Sequence, residues 1–159
     1  MSADKVIMVE AGEDDVPDIV NLWVELMEFH AALDPYFDMA EDARQRFETY
    51  LRGCLGSPDH SILLARWDGE AAGYCHAARQ TAPRIFATPH YCEILEIAVS
   101  TGFRECGIGA ALLERTLGWA REWGFERVLT RVAMANPGAD RFWRAAEFRA
   151  VTQIMVREL

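Results

Sequence analysis

The chain has 159 residues, of which 51% are hydrophobic and 26% are charged. These proportions allow one well-packed core and exclude extensive disorder, so we expect a single domain over residues 1–159. The formal net charge is −9, and such a surface repels phosphate backbones, which argues against nucleic acid as a partner. A cationic amine would be attracted, although acidic surfaces also serve solubility alone.

No apolar run approaches the roughly 20 residues that span a bilayer, and the stretch Met1–Lys5 lacks the features of a secretory signal. We therefore expect a cytoplasmic protein with no membrane partner. Four cysteines stand at positions 54, 75, 92 and 106, and four histidines at 30, 60, 76 and 90. Their spacing fits neither a redox pair nor zinc ligands, so no metal is expected.

The first third of the chain predicts a strand and two helices. Residues 5–9 are β-branched and apolar, as in a short strand. Apolar residues then recur at three- and four-residue steps from about Pro17, which predicts a helix that ends before Pro35. A second amphipathic pattern predicts a helix over about 40–55.

The middle of the chain changes to strand-like patterns. Residues 61–67 and 71–79 flank Asp68-Gly69, and this dipeptide between two such runs is a strong hairpin signal. After a polar loop, residues 91–99 have the composition of a buried strand.

The last third predicts a helix over 107–124, a strand over 127–133, a helix over 137–147 and a final strand over 150–157. The order is β-α-α-β-β-β-α-β-α-β, an α/β (α+β) fold with a central mixed sheet and helices on both faces. The unit from residue 91 to residue 133 should form a parallel crossover.

A glycine-rich segment joins the strand at 91–99 to the following helix. Arg104, Gly107 and Gly109 form the pattern R-x-x-G-x-G there. Free N–H groups and the dipole at a helix start attract a phosphate, and glycines let it approach closely. A dinucleotide fingerprint would need a further glycine where Leu112 stands, and a P-loop would need Gly-Lys-Ser/Thr. A tight turn without a ligand also explains the two glycines.

Two motifs in this order resemble those of one family. Ile97-Ala98-Val99 precedes Phe103-Arg104 and the glycine loop, and Asn136-x-x-Ala139-x-x-Phe142-Trp143 follows about 30 residues later and ends at Phe148. Essentially the whole chain resembles the GNAT superfamily of acyl-CoA-dependent N-acyltransferases.

This resemblance implies acetyl-CoA as the co-substrate and direct attack of a deprotonated amine on the acetyl thioester. Family habit also suggests a homodimer. The backbone before the loop would hold the pantetheine arm, the loop the pyrophosphate, and the second motif would border the thiol end. The implied donor-binding residues are Ile97, Ala98, Val99, Arg104, Glu105, Cys106, Gly107, Ile108, Gly109, Ala110, Asn136, Phe142 and Trp143.

The attacking amine must lose a proton to a base or to a water chain that leads to one. Glu93 and Glu96 lie on the strand before the loop, and several family members carry a base glutamate six residues before the equivalent of Val99, where Glu93 stands. Alternation sends the two side chains to opposite faces unless a bulge intervenes, and the family has a bulge in this strand. Ion-paired or solvated strand residues are the plain alternative.

Two positions depart from the family pattern. Trp143 stands where the family often has a tyrosine acid, and an indole N–H does not release its proton at neutral pH. Tyr91, Tyr74 or a water could protonate the leaving thiolate, or the thiolate could leave unassisted. Glu147 replaces a glycine and should alter only the next turn. The Trp143 departure also motivates a second hypothesis, a catalytically weak acyl-CoA-binding or sensor protein.

The acceptor pocket has the weakest pattern. An aromatic-rich stretch falls in the helices that usually wall this pocket in the family, although such residues at helical spacing often belong to a core. Glu25 and Glu28 could attract an amine or simply be solvated. A nucleophilic Cys106 is a further alternative, but its side chain should point away from the pyrophosphate. The candidate pocket residues are Trp23, Met27, His30, Tyr36 and Phe37.

Overall fold

A computed structural model of the chain describes residues 6–159; Lys5, the predicted start of the first strand, lies outside them. Five strands form one sheet in chain order, antiparallel except that the last pairs in parallel with the fourth. The predicted mixed sheet is confirmed. The strands are β1 (Val6–Glu10), β2 (His60–Trp67), β3 (Glu70–Thr81), β4 (His90–Val99) and β5 (Val128–Thr130).

Helices cover both faces of the sheet, as predicted. They are α1 (Val16–Leu33), α2 (Ala43–Cys54), α3 (Ile108–Glu122) and α4 (Pro137–Ala145). The first two bury one apolar cluster against the sheet, with Ile19 and Leu51 completely buried. The other two bury a second cluster around Leu112 and Trp143. Among the described residues, no helix is both long and apolar enough to cross a membrane.

The predicted hairpin is confirmed at β2 and β3. Its two turn residues, Asp68 and Gly69, both have positive φ angles, of 48° and 89°. That geometry matches the right-handed twist of the flanking strands and fixes their register.

The predicted last strand does not form. Residues 150–157 have no regular structure, and Val151, Ile154 and Val156 are 66%, 62% and 65% exposed. Alternating apolar residues predict a strand only where a neighbouring edge offers hydrogen bonds. β5, the strand at one end of the sheet, is three residues long instead of the predicted 127–133, so its free edge offers few hydrogen bonds to a further strand.

The site is created by the short pairing of β4 with β5. The register covers only three pairs, from Cys92 opposite Val128 to Ile94 opposite Thr130. β4 continues to Val99, still paired with β3 on its other side. Its outer edge after Ile94 therefore has backbone groups with no strand beside them, directly before the glycine loop.

Candidate functional site

The loop leads from β4 into α3 through two residues with positive φ. Glu105 has φ of 62°, and Gly107, the residue that caps α3, has φ of 80°. The first bond of the helical ladder runs from the Ala111 N–H to the Gly107 carbonyl at 3.1 Å. The N–H groups of Ile108, Gly109 and Ala110 precede it, so they point out of the helix start with its positive dipole end.

A close approach of helices α3 and α4 closes one side of this loop. A Cβ atom on Gly109 would lie 3.4 Å from Phe142 Cε2 and 3.6 Å from Val99 Cγ2. The Asn136 side chain caps α4 by accepting a hydrogen bond from the Ala139 N–H at 3.1 Å. Glycine at position 109 therefore keeps the anion-facing backbone uncovered while α4 packs beside it.

The loop is held from the other side by α1. Glu25 accepts hydrogen bonds from the Ser100 hydroxyl at 2.9 Å, from the Thr101 N–H at 2.8 Å and from the Thr101 hydroxyl at 2.9 Å. Partial burial opposes ionisation, but these hydrogen bonds outweigh it and lower the pKa of Glu25 below its ordinary value of 4.5. Glu25 is thus a loop-positioning residue, a role that its place in the sequence does not predict.

A β-bulge in β4 decides where the two glutamates lie. Glu93 pairs with Ala78 and Glu96 pairs with His76, with the register shifted between them. Their partners are two residues apart on β3, so both glutamates face the same side of the sheet. That side is covered by α1 and α2.

The two carboxylates have different neighbours. Glu93 is buried and accepts a hydrogen bond from Arg131 Nε at 2.9 Å, and that arginine side chain is 75% exposed. One oxygen of Glu96 lies 3.3 Å from Nδ1 of the fully buried His76. This contact lies outside hydrogen-bond geometry, and neither atom has another partner within the described part of the chain. A buried carboxylate oxygen without a protein partner requires an explanation, such as a bound water, an ion or a catalytic role.

Comparison with known proteins bears on this geometry. The model of the acetyltransferase (GNAT) family matches residues 23–148, most of the chain. The chain belongs to this family. An uncharacterized N-acetyltransferase from Archaeoglobus fulgidus is 30% identical over 139 residues, which cover 87% of this chain and 90% of that protein. The chain is accordingly an N-acetyltransferase.

Solved structures share the GNAT fold. The tetramutant of protein BH1408 from Bacillus halodurans matches with a TM-score of 0.82 at 18% identity, covering 96% of this chain and 99% of that one. The aminoglycoside N-acetyltransferase AAC(6')-Iy in complex with CoA matches with a TM-score of 0.72 at 14% identity, covering 97% and 94%. These likenesses concern the fold.

In this GNAT chain the predicted donor residues between Ile97 and Ala110 lie at the free edge of β4, in the loop and at the start of α3, whereas Asn136, Phe142 and Trp143 lie at the start of α4 or within it. Arg104 donates from Nε to the Val99 carbonyl at 3.3 Å, which folds the loop back on the strand. Cys106 is exposed, and its thiol lies 3.5 Å from the Arg104 carbonyl. Trp143 is buried between Phe142 and Phe148 with edge-to-face rings. Its side chain is therefore part of the hydrophobic core.

The predicted acceptor wall divides into two groups. Trp23 stacks on Phe47 with ring centroids 4.2 Å apart, so it joins α1 to α2 as core. His30, Tyr36 and Phe37 form an aromatic cluster next to Phe29.

Phe29 connects this cluster to the loop, because its ring contacts His30 on one side and its ring centroid lies 5.5 Å from the Arg104 guanidinium. Met27 is half-buried on the same helix. Tyr91 lies two residues before Glu93 and on the same face of β4, since no bulge separates them.

Replacement of Glu25 by glutamine should loosen the loop. The amide keeps the size of the side chain, but its one oxygen replaces two carboxylate oxygens and the negative charge is lost, so at least one of the three hydrogen bonds loses its acceptor and acetyl-CoA affinity should fall by about tenfold. Because the pKa of Glu25 is lowered in the folded protein, its stabilising effect is present above pH 4.5 and is lost as the pH falls through the folded value. Calorimetric titration measures the affinity. Glu28→Gln, an exposed position one turn along α1, is the control; equal losses in both variants would contradict the role of Glu25.

Proposed function

We propose that the enzyme transfers acetyl from acetyl-CoA to a primary amine of a small molecule, peptide or protein by direct attack. One observation carries the proposal. After Ile94, the edge of β4 that faces β5 has no strand beside it, and this free edge continues to Val99, where the loop to the helix start at Gly107 begins. An extended donor molecule with a phosphate end fits such an edge followed by an anion site.

The donor side is supplied mainly by backbone. The free edge of β4 at Ile97–Val99 would bind the pantetheine arm as a neighbouring strand would. The N–H groups of residues 104–110 and the α3 dipole would bind the pyrophosphate. Arg104 keeps the loop in place through the Val99 carbonyl. When bound, acetyl-CoA supplies the activated acetyl thioester.

The acceptor side is supplied by the face with the two glutamates. Glu96 is the proposed proton acceptor, because one of its oxygens is buried without a hydrogen-bond partner in the described residues. Glu93 is the proposed charge partner of a cationic amine, since its carboxylate is already oriented by Arg131. The aromatic cluster of His30, Tyr36 and Phe37 is the proposed apolar wall.

Protonation of the leaving thiolate needs a source other than Trp143. Burial, together with the nearby Glu96 carboxylate, raises the pKa of Tyr74 well above its ordinary value, so this phenol retains its proton. Tyr91 is half-buried on the same face as Glu93 and remains our candidate, with water as the alternative.

Incubation of the pure protein with acetyl-CoA and a panel of amines tests the proposal, with release of free CoA thiol as the readout. The panel includes polyamines, peptide N-termini, lysine side chains and aminoglycosides, since several structural neighbours are named for aminoglycosides. Turnover that depends on one amine class supports it. Tight acetyl-CoA binding without turnover on any amine would instead favour the acyl-CoA sensor.

We also propose a homodimer, which the family resemblance suggests, and a cytoplasmic location, which the sequence predicts. Sedimentation velocity at several concentrations measures the first, and cell fractionation measures the second. A monomer at all concentrations would contradict the dimer.

A further inference from the structure

The fold brings together three metal-ligating side chains that are scattered in the sequence. Cys54 ends α2, His60 begins β2 and His76 lies in the middle of β3. One ligand atom of each lies within 4.8 Å of the other two. Nδ1 of His60 is 3.0 Å from Nε2 of His76.

We propose that Cys54 Sγ, His60 Nδ1 and His76 Nε2 bind a Zn²⁺ ion. At a tetrahedral zinc with Zn–N bonds of about 2.0 Å, two nitrogen ligands lie about 3.3 Å apart, close to the distance between these histidines. A thiolate at about 2.3 Å from zinc would lie about 3.5 Å from each nitrogen, within the observed limit. Two imidazoles and a thiolate suit zinc and exclude the oxygen-seeking Mg²⁺ and Ca²⁺.

The surroundings of His76 match those of a metal-bound histidine. Its other nitrogen, Nδ1, lies 3.3 Å from a Glu96 oxygen, and both atoms lack a hydrogen-bond partner among residues 6–159. A metal on Nε2 leaves the proton on Nδ1, and a small rotation of the ring would let that N–H donate to Glu96. Metal-ligating histidines usually donate to a carboxylate in this way.

The position also gives the metal an entry route and a structural role. Cys54 and His76 are buried, whereas His60 is half-buried at the surface side. A fourth ligand, water, would complete the coordination from that side. The ion would tie α2 to β2 and β3, and through Glu96 to β4. In the metal-bound protein the Glu96 oxygen beside His76 would accept the hydrogen bond from that histidine, which leaves the second carboxylate oxygen as the proton acceptor on the proposed acceptor face. The existence of the metal site does not depend on acetyl transfer.

Titration of untagged, chelator-treated protein with Co²⁺ tests the proposal, because cobalt reports both the geometry and the sulfur ligand by absorption. We expect one equivalent per chain, with the visible bands of tetrahedral cobalt and a thiolate-to-cobalt charge-transfer band, both removed by added Zn²⁺. Cys54→Ser should lose the charge-transfer band. His60→Ala should weaken binding by more than about tenfold, and Glu96→Gln by about tenfold.

Cys106→Ser and His90→Gln are the matched controls, because both side chains are exposed and lie outside the cluster; both should bind cobalt as the parent does. In the parent, Zn²⁺ at 100 times its dissociation constant should raise the melting temperature by roughly 5–10 °C. Absence of the thiolate band from the parent protein would overturn the proposal. Unchanged binding in His60→Ala, whose half-buried position makes misfolding the smallest risk, would overturn it as well.

Discussion

Glu96→Gln should lower kcat for acetyl transfer by about 100- to 10,000-fold, the contribution of a positioned general base. Glutamine keeps the size of the side chain but accepts no proton from the ammonium group. KM for acetyl-CoA should change little, because the donor is bound by the backbone of β4 and the loop. Thiol release with the best amine of the panel measures the effect.

Glu93→Gln is the informative comparison, since this side chain lies on the same face two pairing positions away. Its loss removes the partner of Arg131 and the charge opposite the amine, so we expect mainly a higher KM for the amine, by about tenfold. Glu70→Gln, at an exposed position of β3, should leave both constants unchanged. A larger kcat loss in Glu93→Gln than in Glu96→Gln would transfer the role of base to Glu93.

The two glutamates show what sequence could and could not predict. Their presence on the strand before the loop was evident from the motif, because local spacing places them there. The face of the sheet on which each side chain lies was not evident, because a single bulge residue reverses the alternation of side chains for every residue beyond it. The bulge lies opposite His76 and Ala77 and arises from pairing with β3. The glycine loop, by contrast, depends on local backbone geometry, which the sequence encodes directly.

Long-range contacts explain the other omissions. Glu25 accepts hydrogen bonds from Ser100 and Thr101, which lie 75 and 76 residues away in the sequence. Local spacing does not predict such a contact. The Cys54, His60 and His76 cluster likewise exists only because β2 pairs with β3 beside the end of α2. The absence of the predicted last strand also depends on long-range contacts. Its alternating pattern is local, but a strand forms only where a neighbouring strand edge offers hydrogen bonds.

Gly73→Ala should destabilise the fold and weaken the donor site together. Gly73 lies opposite Val99 in the pairing of β3 with β4, and a Cβ there would lie 2.7 Å from the Ala98 carbonyl oxygen. The clash is with backbone, so the strands must separate where the loop begins. We expect a loss of about 2–3 kcal/mol in the free energy of unfolding, measured by urea denaturation. Acetyl-CoA affinity should fall as well, because the displaced residues are those that would hold the pantetheine arm.

Gly118→Ala is the same chemical change, but we expect it to stabilise the protein. Gly118 lies in α3, and a Cβ there would meet nothing within 4 Å. Alanine should therefore stabilise the helix by about 0.5–1 kcal/mol and leave acetyl-CoA binding unchanged. The contrast separates the close approach of two strands from the general entropic effect of replacing glycine. If Gly73→Ala were as stable as the parent, β3 and β4 would have to tolerate a wider spacing at Val99, and the free edge of β4 would not be a rigid support for the donor.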